Sequence, residues 1–184
     1  MEIIKRQSVK YPIMVRLDSG EELVIPKQSR FSNEWLRKHG CSLMAEYIAL
    51  QYAGVKRIKV DGKRVGIYPI NLLEWHKLHT PKEVKAKVTV RGVDEGLDAL
   101  AKGKVKAHYY KKVTLARLAQ ALSDGNIVIM ERKKPIHTIV LLPDKEGVYV
   151  ASHGEVKKAP LAKVARSATT NFRYRGMIVV RKEK

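Results

Sequence analysis

The stretch Gly40-Cys41-Ser42-Leu43-Met44-Ala45-Glu46-Tyr47-Ile48-Ala49-Leu50-Gln51-Tyr52-Ala53-Gly54 decides how this chain is read. Leu43, Met44, Tyr47, Ile48 and Tyr52 recur at three- and four-residue spacing, the period of one face of an α-helix, and Gly54 supplies a stop signal. The pattern predicts a helix from Cys41 to Tyr52 that opens on the chain's single cysteine. A thiol at a helix N-terminus lies at the positive end of the helix dipole among unpaired N–H groups, and both favour the thiolate. Gly40 would let the preceding loop turn sharply and leave the sulfur accessible, and the Cys41 N–H would be available to an oxyanion. A lone cysteine beside an apolar helix face is ordinarily a small buried hydrophobe. Its surroundings in the sequence therefore carry the decision.

Upstream, Tyr11 to Leu17 and Glu22 to Ile25 alternate around the turn sequence Asp18-Ser19-Gly20 and predict a β-hairpin. After Pro26, the polar segment Lys27 to Gly40, which carries Gln28 and Trp35, reads as a loop with one helical turn. Downstream, Arg57 to Val60 and Val65 to Tyr68 flank Asp61-Gly62-Lys63-Arg64 as a second, smaller hairpin. Pro69 opens a helix to about Leu78. Val93 to Ala101 and Thr114 to Leu122 are two further helices, the latter with Leu115, Leu118, Ala119 and Leu122 as its apolar stripe and Gly125 at its end. Asn126 to Glu131, His137 to Leu142 and Gly147 to Ser152 are short runs rich in Val and Ile, separated by Pro135 and by Asp144-Lys145-Glu146. They predict an antiparallel meander, with Met177 to Arg181 as a final strand. Helices followed by a sheet, without a repeat or low-complexity tract, describe an α+β fold in a single domain over 1–184.

The chain is 184 residues long, 45% apolar and 30% charged, enough to bury a full core. It has no apolar run of the roughly 18 residues that a membrane span requires, and Met1 to Lys10 mixes charge into every short apolar stretch, so neither an anchor nor a signal peptide is expected. A lone free thiol is most at home in a reducing compartment, which favours the cytoplasm. The 37 basic residues outnumber the 18 acidic ones, for a formal net charge of +19. A solvated basic surface accounts for such a charge, and so does a polyanionic partner: nucleic acid, an anionic membrane surface or an acidic substrate. The bases are scattered from Lys5 to Lys184, and only Lys102 to Lys112, with Tyr109 and Tyr110, interleaves them with aromatics. His76 and His79, three residues apart beside Glu74, offer metal-ligand spacing without a third cluster of ligands, so they read as surface histidines on an amphipathic helix and no metal is expected. No phosphate-cradling glycine loop points to a nucleotide cofactor, and no Gly-x-Ser-x-Gly points to a serine hydrolase.

Thiol catalysis needs a thiolate, a base, a group that orients the base, and donors for the oxyanion. Gln28 lies upstream of Cys41 in the polar loop, and His137 begins a strand far downstream. Ile25-Pro26-Lys27-Gln28, the polar loop, and Gly40-Cys41-Ser42-Leu43-Met44-Ala45 running into Leu50-Gln51-Tyr52-Ala53-Gly54 resemble the cysteine box of the bacteriocin-leader-peptidase-like branch of papain-like peptidases. The stretch Leu118 to Ile129, followed by Pro135-Ile136-His137-Thr138-Ile139-Val140-Leu141 and Glu146-Gly147-Val148-Tyr149-Val150, is similar to that family's histidine box. The resemblance covers roughly residues 25 to 180. It implies a papain-like domain in which the N-terminal helix carrying Cys41 packs on an antiparallel sheet carrying His137. A hairpin at about 11–25 would precede it, and a basic insertion at about 56–112 would lie between the two halves.

For the site, the resemblance implies Cys41 as nucleophile, His137 as base and then acid, and Gln28 as the side-chain half of the oxyanion hole. The activity implied is cleavage of a peptide or isopeptide bond in a peptide or protein through an acyl-thioester. Acyl transfer would use the same residues, and a catalytically weak or inactive domain would act as a basic binding module. Two positions depart from the family pattern. Ser42 stands where glycine is usual after the cysteine. Where an Asp or Asn is usual after the second strand, Val150-Ala151-Ser152-His153-Gly154 offers Ser152 or His153 to orient His137, with Asp144 and Asn171 as more distant carboxylate and amide.

Overall fold

The helix that begins at Cys41 is more deeply embedded than its periodicity requires. Ser42 through Leu50 is buried without a break, so this helix, Cys41–Tyr52 (α2), is enclosed on all sides and forms the central rod of the molecule. The computed structural model describes residues 1–5, 12–133, 136–145, 147–152, 154–164 and 174–183. Over these the chain is a mixed α+β fold. Its N-terminal strands are Glu2–Lys5 (β1), Ile13–Arg16 (β2) and Glu22–Ile25 (β3), and they form an antiparallel sheet in that order. The expected hairpin is thus β2 and β3 with a third strand added to its edge, while Tyr11 lies outside the described residues.

Between β3 and α2 the expected loop is largely helical. Gln28–Arg30 is a 3₁₀ turn, and Glu34–His39 (α1) is an α-helix capped by Asn33, whose side chain accepts from the Leu36 N–H at 3.0 Å. The Asn33 cap is the one sequence signal for it. Gly40 joins α1 to α2 at φ −79°, a conformation open to any residue. Its glycine is explained by space instead of by a sharp turn: a Cβ there would lie 2.5 Å from the Leu36 carbonyl oxygen.

Arg57–Val60 (β4) and Lys63–Gly66 (β5) make the small hairpin, in a register that leaves Tyr68 outside it as the residue before helix Pro69–His79 (α3). Pro81–Lys85 (α4) and Val90–Ala101 (α5) follow, the latter starting three residues earlier than the apolar pattern because Thr89 caps it. Val105–Tyr110 (β6), Leu115–Ser123 (α6), Ile127–Lys133 (β7), Ile136–Asp144 (β8), Gly147–Ser152 (β9), Glu155–Ala159 (β10) and Tyr174–Lys182 (β11) complete the described chain. The last sheet has six strands in the order β10-β9-β8-β7-β11-β6, every neighbouring pair antiparallel. The meander of β7, β8 and β9 is as the sequence predicts. The stretch 56–112, which the resemblance implies is an insertion, contributes α5, which packs on α2, and β6, an edge strand of the main sheet.

Strand alternation separates two apolar layers. Ile127, Ile129, Val140 and Leu142 face α2 and α5, whereas Val128, Met130, Leu141 and Met177 meet Leu118, Ala121 and Leu122 of α6. Tyr109 and Tyr110, expected as stacking surfaces in a basic run, belong to this packing. Tyr109 lies against Gly176, where a Cβ would come within 2.6 Å of its ring, and Arg117 covers Tyr110 at 4.1 Å from the ring centroid. Among the described residues no helix is long and apolar enough to cross a membrane.

Candidate functional site

The first residue of α2 faces the start of β8, because Leu43 to Ile48 of the helix and Val140 and Leu142 of the strand share one apolar layer. A slim crevice remains at that junction, lined by Gln28, Cys41, His137, Thr138, Ser152 and Gly154 above an apolar floor that includes Met44 and Val140. Its free volume, about 20 Å³, is little more than one water. Gln28, Cys41, His137 and Ser152 therefore meet in space. His153 and Asn171 lie outside the described residues. Asp144 is not at this site: it ends β8, where it accepts from the Met1 amino group at 2.9 Å and pairs with Lys158 at 3.1 Å, and these partners hold its carboxyl below the usual range against the opposing effect of burial.

Each side chain in the crevice is fixed by a neighbour. Gln28 is 8% exposed, and its Nε2 donates to the Arg37 carbonyl at 3.1 Å, which sets the orientation of the amide and leaves its second N–H for the crevice. Because α2 starts at Cys41 and the Gly40 carbonyl first accepts from the Met44 N–H at 2.9 Å, the Cys41 amide lies outside the helical ladder. His137 Nε2 is hydrogen-bonded at 2.7 Å to the Oγ of Ser152, one of the two candidate orienting residues. The wall beside Gln28 is closed by Gly154 at φ +80°, where any Cβ would fall 2.6 Å from the Lys27 Cα.

The thiol itself rests elsewhere than on the imidazole. Cys41 Sγ donates to Thr138 Oγ1 at 3.8 Å, and the same hydroxyl shares a buried 2.8 Å hydrogen bond with Ser42 Oγ. Successive strand residues project to opposite faces, so Thr138 points at α2 with Val140, while His137 stands beside Ser152 at the crevice rim. Ser42 is thereby accounted for: its hydroxyl ties the start of α2 to β8, which a glycine could not do. Thr138 carries no sequence signal beyond following the histidine.

Behind the crevice, Glu46 of α2 and His76 of α3 form a fully buried pair, Oε2 to Nε2 at 2.7 Å, with His76 Nδ1 on Thr80 Oγ1 at 2.6 Å. This corrects the expectation of a surface histidine at His76, while His79 is at the surface. His76 is buried, His79 is exposed and stacked on Trp75, and Glu74 pairs with Lys77. Burial pushes the Glu46 carboxyl up, with the nearby His76 acting in the opposite sense, and its Oε1 has no hydrogen-bond partner. A carboxylate inside an apolar helical stretch is the signal that a buried partner has to exist. Among the described residues no group of three His, Cys, Asp or Glu is placed to hold a metal ion. Comparison of the chain with protein-family models, curated proteins and solved structures finds no match.

Proposed function

We propose that this chain is a papain-like thiol hydrolase that cleaves a peptide or isopeptide bond through an acyl-thioester on Cys41. The observation that supports this most is the convergence of Gln28, Cys41 and His137 on one crevice, with Ser152 hydrogen-bonded to the imidazole Nε2. In this reading proton exchange with the thiol is the work of Nδ1. His137 takes the thiol proton as Sγ attacks the carbonyl carbon, and the oxyanion is met by the Gln28 amide and the Cys41 N–H. Collapse of the adduct expels the amine, which receives the proton from His137, and leaves the acyl group on sulfur. Water, deprotonated by His137, then attacks the thioester to release a carboxylic acid and regenerate the thiol. An amine in place of water gives acyl transfer with the same residues. The sulfur must leave Thr138 to engage the imidazole, in keeping with catalytic contacts that tighten only when substrate binds.

Alkylation of Cys41 by iodoacetamide tests the pair. At pH 6 to 7 the wild-type thiol should react faster than a model thiol, and His137→Ala should slow it. Equal, slow labelling of both would replace this reading with that of a catalytically inactive, basic binding domain. Ser152→Ala should lower the labelling rate by about fivefold to tenfold, the worth of one neutral hydrogen bond, and Ser152→Asn should restore it. An unchanged rate in Ser152→Ala would mean that the imidazole is oriented by other contacts.

A further inference from the structure

The end of α2 opposite Cys41 opens onto a different kind of surface. The helix has 12 residues and so carries the chain about 18 Å from the crevice. Beyond it lies a groove of about 950 Å³ between the β4–β5 hairpin, α3 and the end of α5. Its charged lining is entirely basic: Lys56, Arg57, Lys59, Arg64, Lys102 and Lys104. All six are exposed, and among the described residues none is paired with a carboxylate. The floor is aromatic, with His79 stacked on Trp75 at 4.5 Å and 11°, so that Trp75 supports one face of the exposed imidazole. A second groove sharing Lys56, Arg57 and Arg64 continues the track to Tyr68, whose ring is 63% exposed. The carboxylate at that end, Glu22, is engaged by Arg16 at 2.6 Å.

One local feature is unfavourable without a ligand. Lys59 and Arg64 are direct cross-strand partners, and like charges in that position repel within a two-stranded sheet that has little stability of its own. Lys102 closes α5 at φ +50°, a left-handed position suited to glycine, and lines the groove from there. An anion in the groove relieves the charge repulsion.

We propose that this groove binds single-stranded nucleic acid, its phosphates following the six bases and its nucleobases stacking on Tyr68 and His79. Concavity argues against a membrane surface, which is flat, and exposed rings at both ends of a basic track are the arrangement that holds unpaired bases. The site shares no lining residue with the Cys41 crevice, so it is independent of the hydrolase reading.

The test uses the full chain carrying Cys41→Ala and a fluorescent oligothymidylate, read by anisotropy across a salt series. Binding should weaken steeply with salt, with a slope reduced by about two to three in the Arg57→Glu/Lys59→Glu/Arg64→Glu variant and an affinity at least tenfold lower. Tyr68→Ala/His79→Ala should lower oligonucleotide affinity about tenfold while leaving heparin binding unchanged. The proposal is overturned if the charge variant binds like the parent, or if the aromatic variant loses nothing. It is equally overturned if anionic phosphatidylserine vesicles or polyglutamate compete as well as the oligonucleotide. Apart from Cys41→Ala in the parent, which is half-buried, all substitutions are at exposed positions, and unaltered thermal transitions establish that the variants are folded.

Discussion

Replacing Gln28 by alanine is expected to slow acylation of Cys41 by an activated ester such as p-nitrophenyl acetate by about 10²–10³-fold, while alkylation by iodoacetamide keeps its rate. The two reagents divide the chemistry of the site. Halide displacement builds no oxyanion, so it reports the thiolate and His137 alone. Ester attack passes through a tetrahedral oxyanion and draws on every donor aimed at it. Gln28 is suited to this task because the Arg37 carbonyl engages one amide hydrogen at 3.1 Å and holds the side chain in its buried place. His137→Ala, by contrast, should slow both reactions. If Gln28→Ala slowed both equally, the residue would be acting by packing, and the Cys41 amide would be left as the crevice's oxyanion donor.

The second large effect concerns stability. His76→Ala should cost about 3–5 kcal/mol, read as a lower denaturant midpoint at unchanged slope, because it strands Glu46 in a fully buried site with neither oxygen bonded. The glutamate cannot turn away, since its Oε1 already sits so close to Gly96 that a Cβ there would overlap it. The double variant Glu46→Met/His76→Leu is expected to be neutral or stabilising by about 1–4 kcal/mol, which would make the pair a device for positioning α2 on α3 and not a source of stability. Burial raises the Glu46 carboxyl, so the folded protein holds this proton more tightly than the unfolded chain. Its contribution is fully present below the ordinary carboxylate range and is lost as pH rises through the folded value. Glu46→Gln should remove that loss, visible as a flatter decline of stability with rising pH.

What the sequence makes legible follows from how far each signal reaches. The helix Cys41–Tyr52 and the meander of β7, β8 and β9 are readable because periodicity and turn residues are local. Residues 34–39 read as loop and are helix, since that helix rests on one Asn33 cap and six residues too few to show a period. β6 is hidden by its charges: an edge strand needs only one apolar face, and Val105-Lys106-Ala107-His108 alternates in just that way. Cys41, Gln28 and His137 can be brought together only through the resemblance, as nothing local links them. Thr138, Ser42 and the Glu46–His76 pair depend on contacts between distant elements, which a residue-by-residue reading does not contain.

The position of β11 has a consequence for how the molecule is made. It is the last of the described strands in chain order, yet it occupies the interior of the main sheet between β7 and β6. On the ribosome β7, β8, β9 and β10 can zip together in the order they emerge, because each is the spatial neighbour of the one before. Among the described strands β6 has no partner until β11 arrives, and β7 keeps one ribbon of amides and carbonyls uncovered for the later part of that interval. At ordinary elongation rates that interval is on the order of ten seconds, during which two unsealed sheet edges face other nascent chains on the same polysome. A polypeptide stalled just short of β11 would thus present an open sheet edge to its neighbours even with Cys41 and His137 already synthesised.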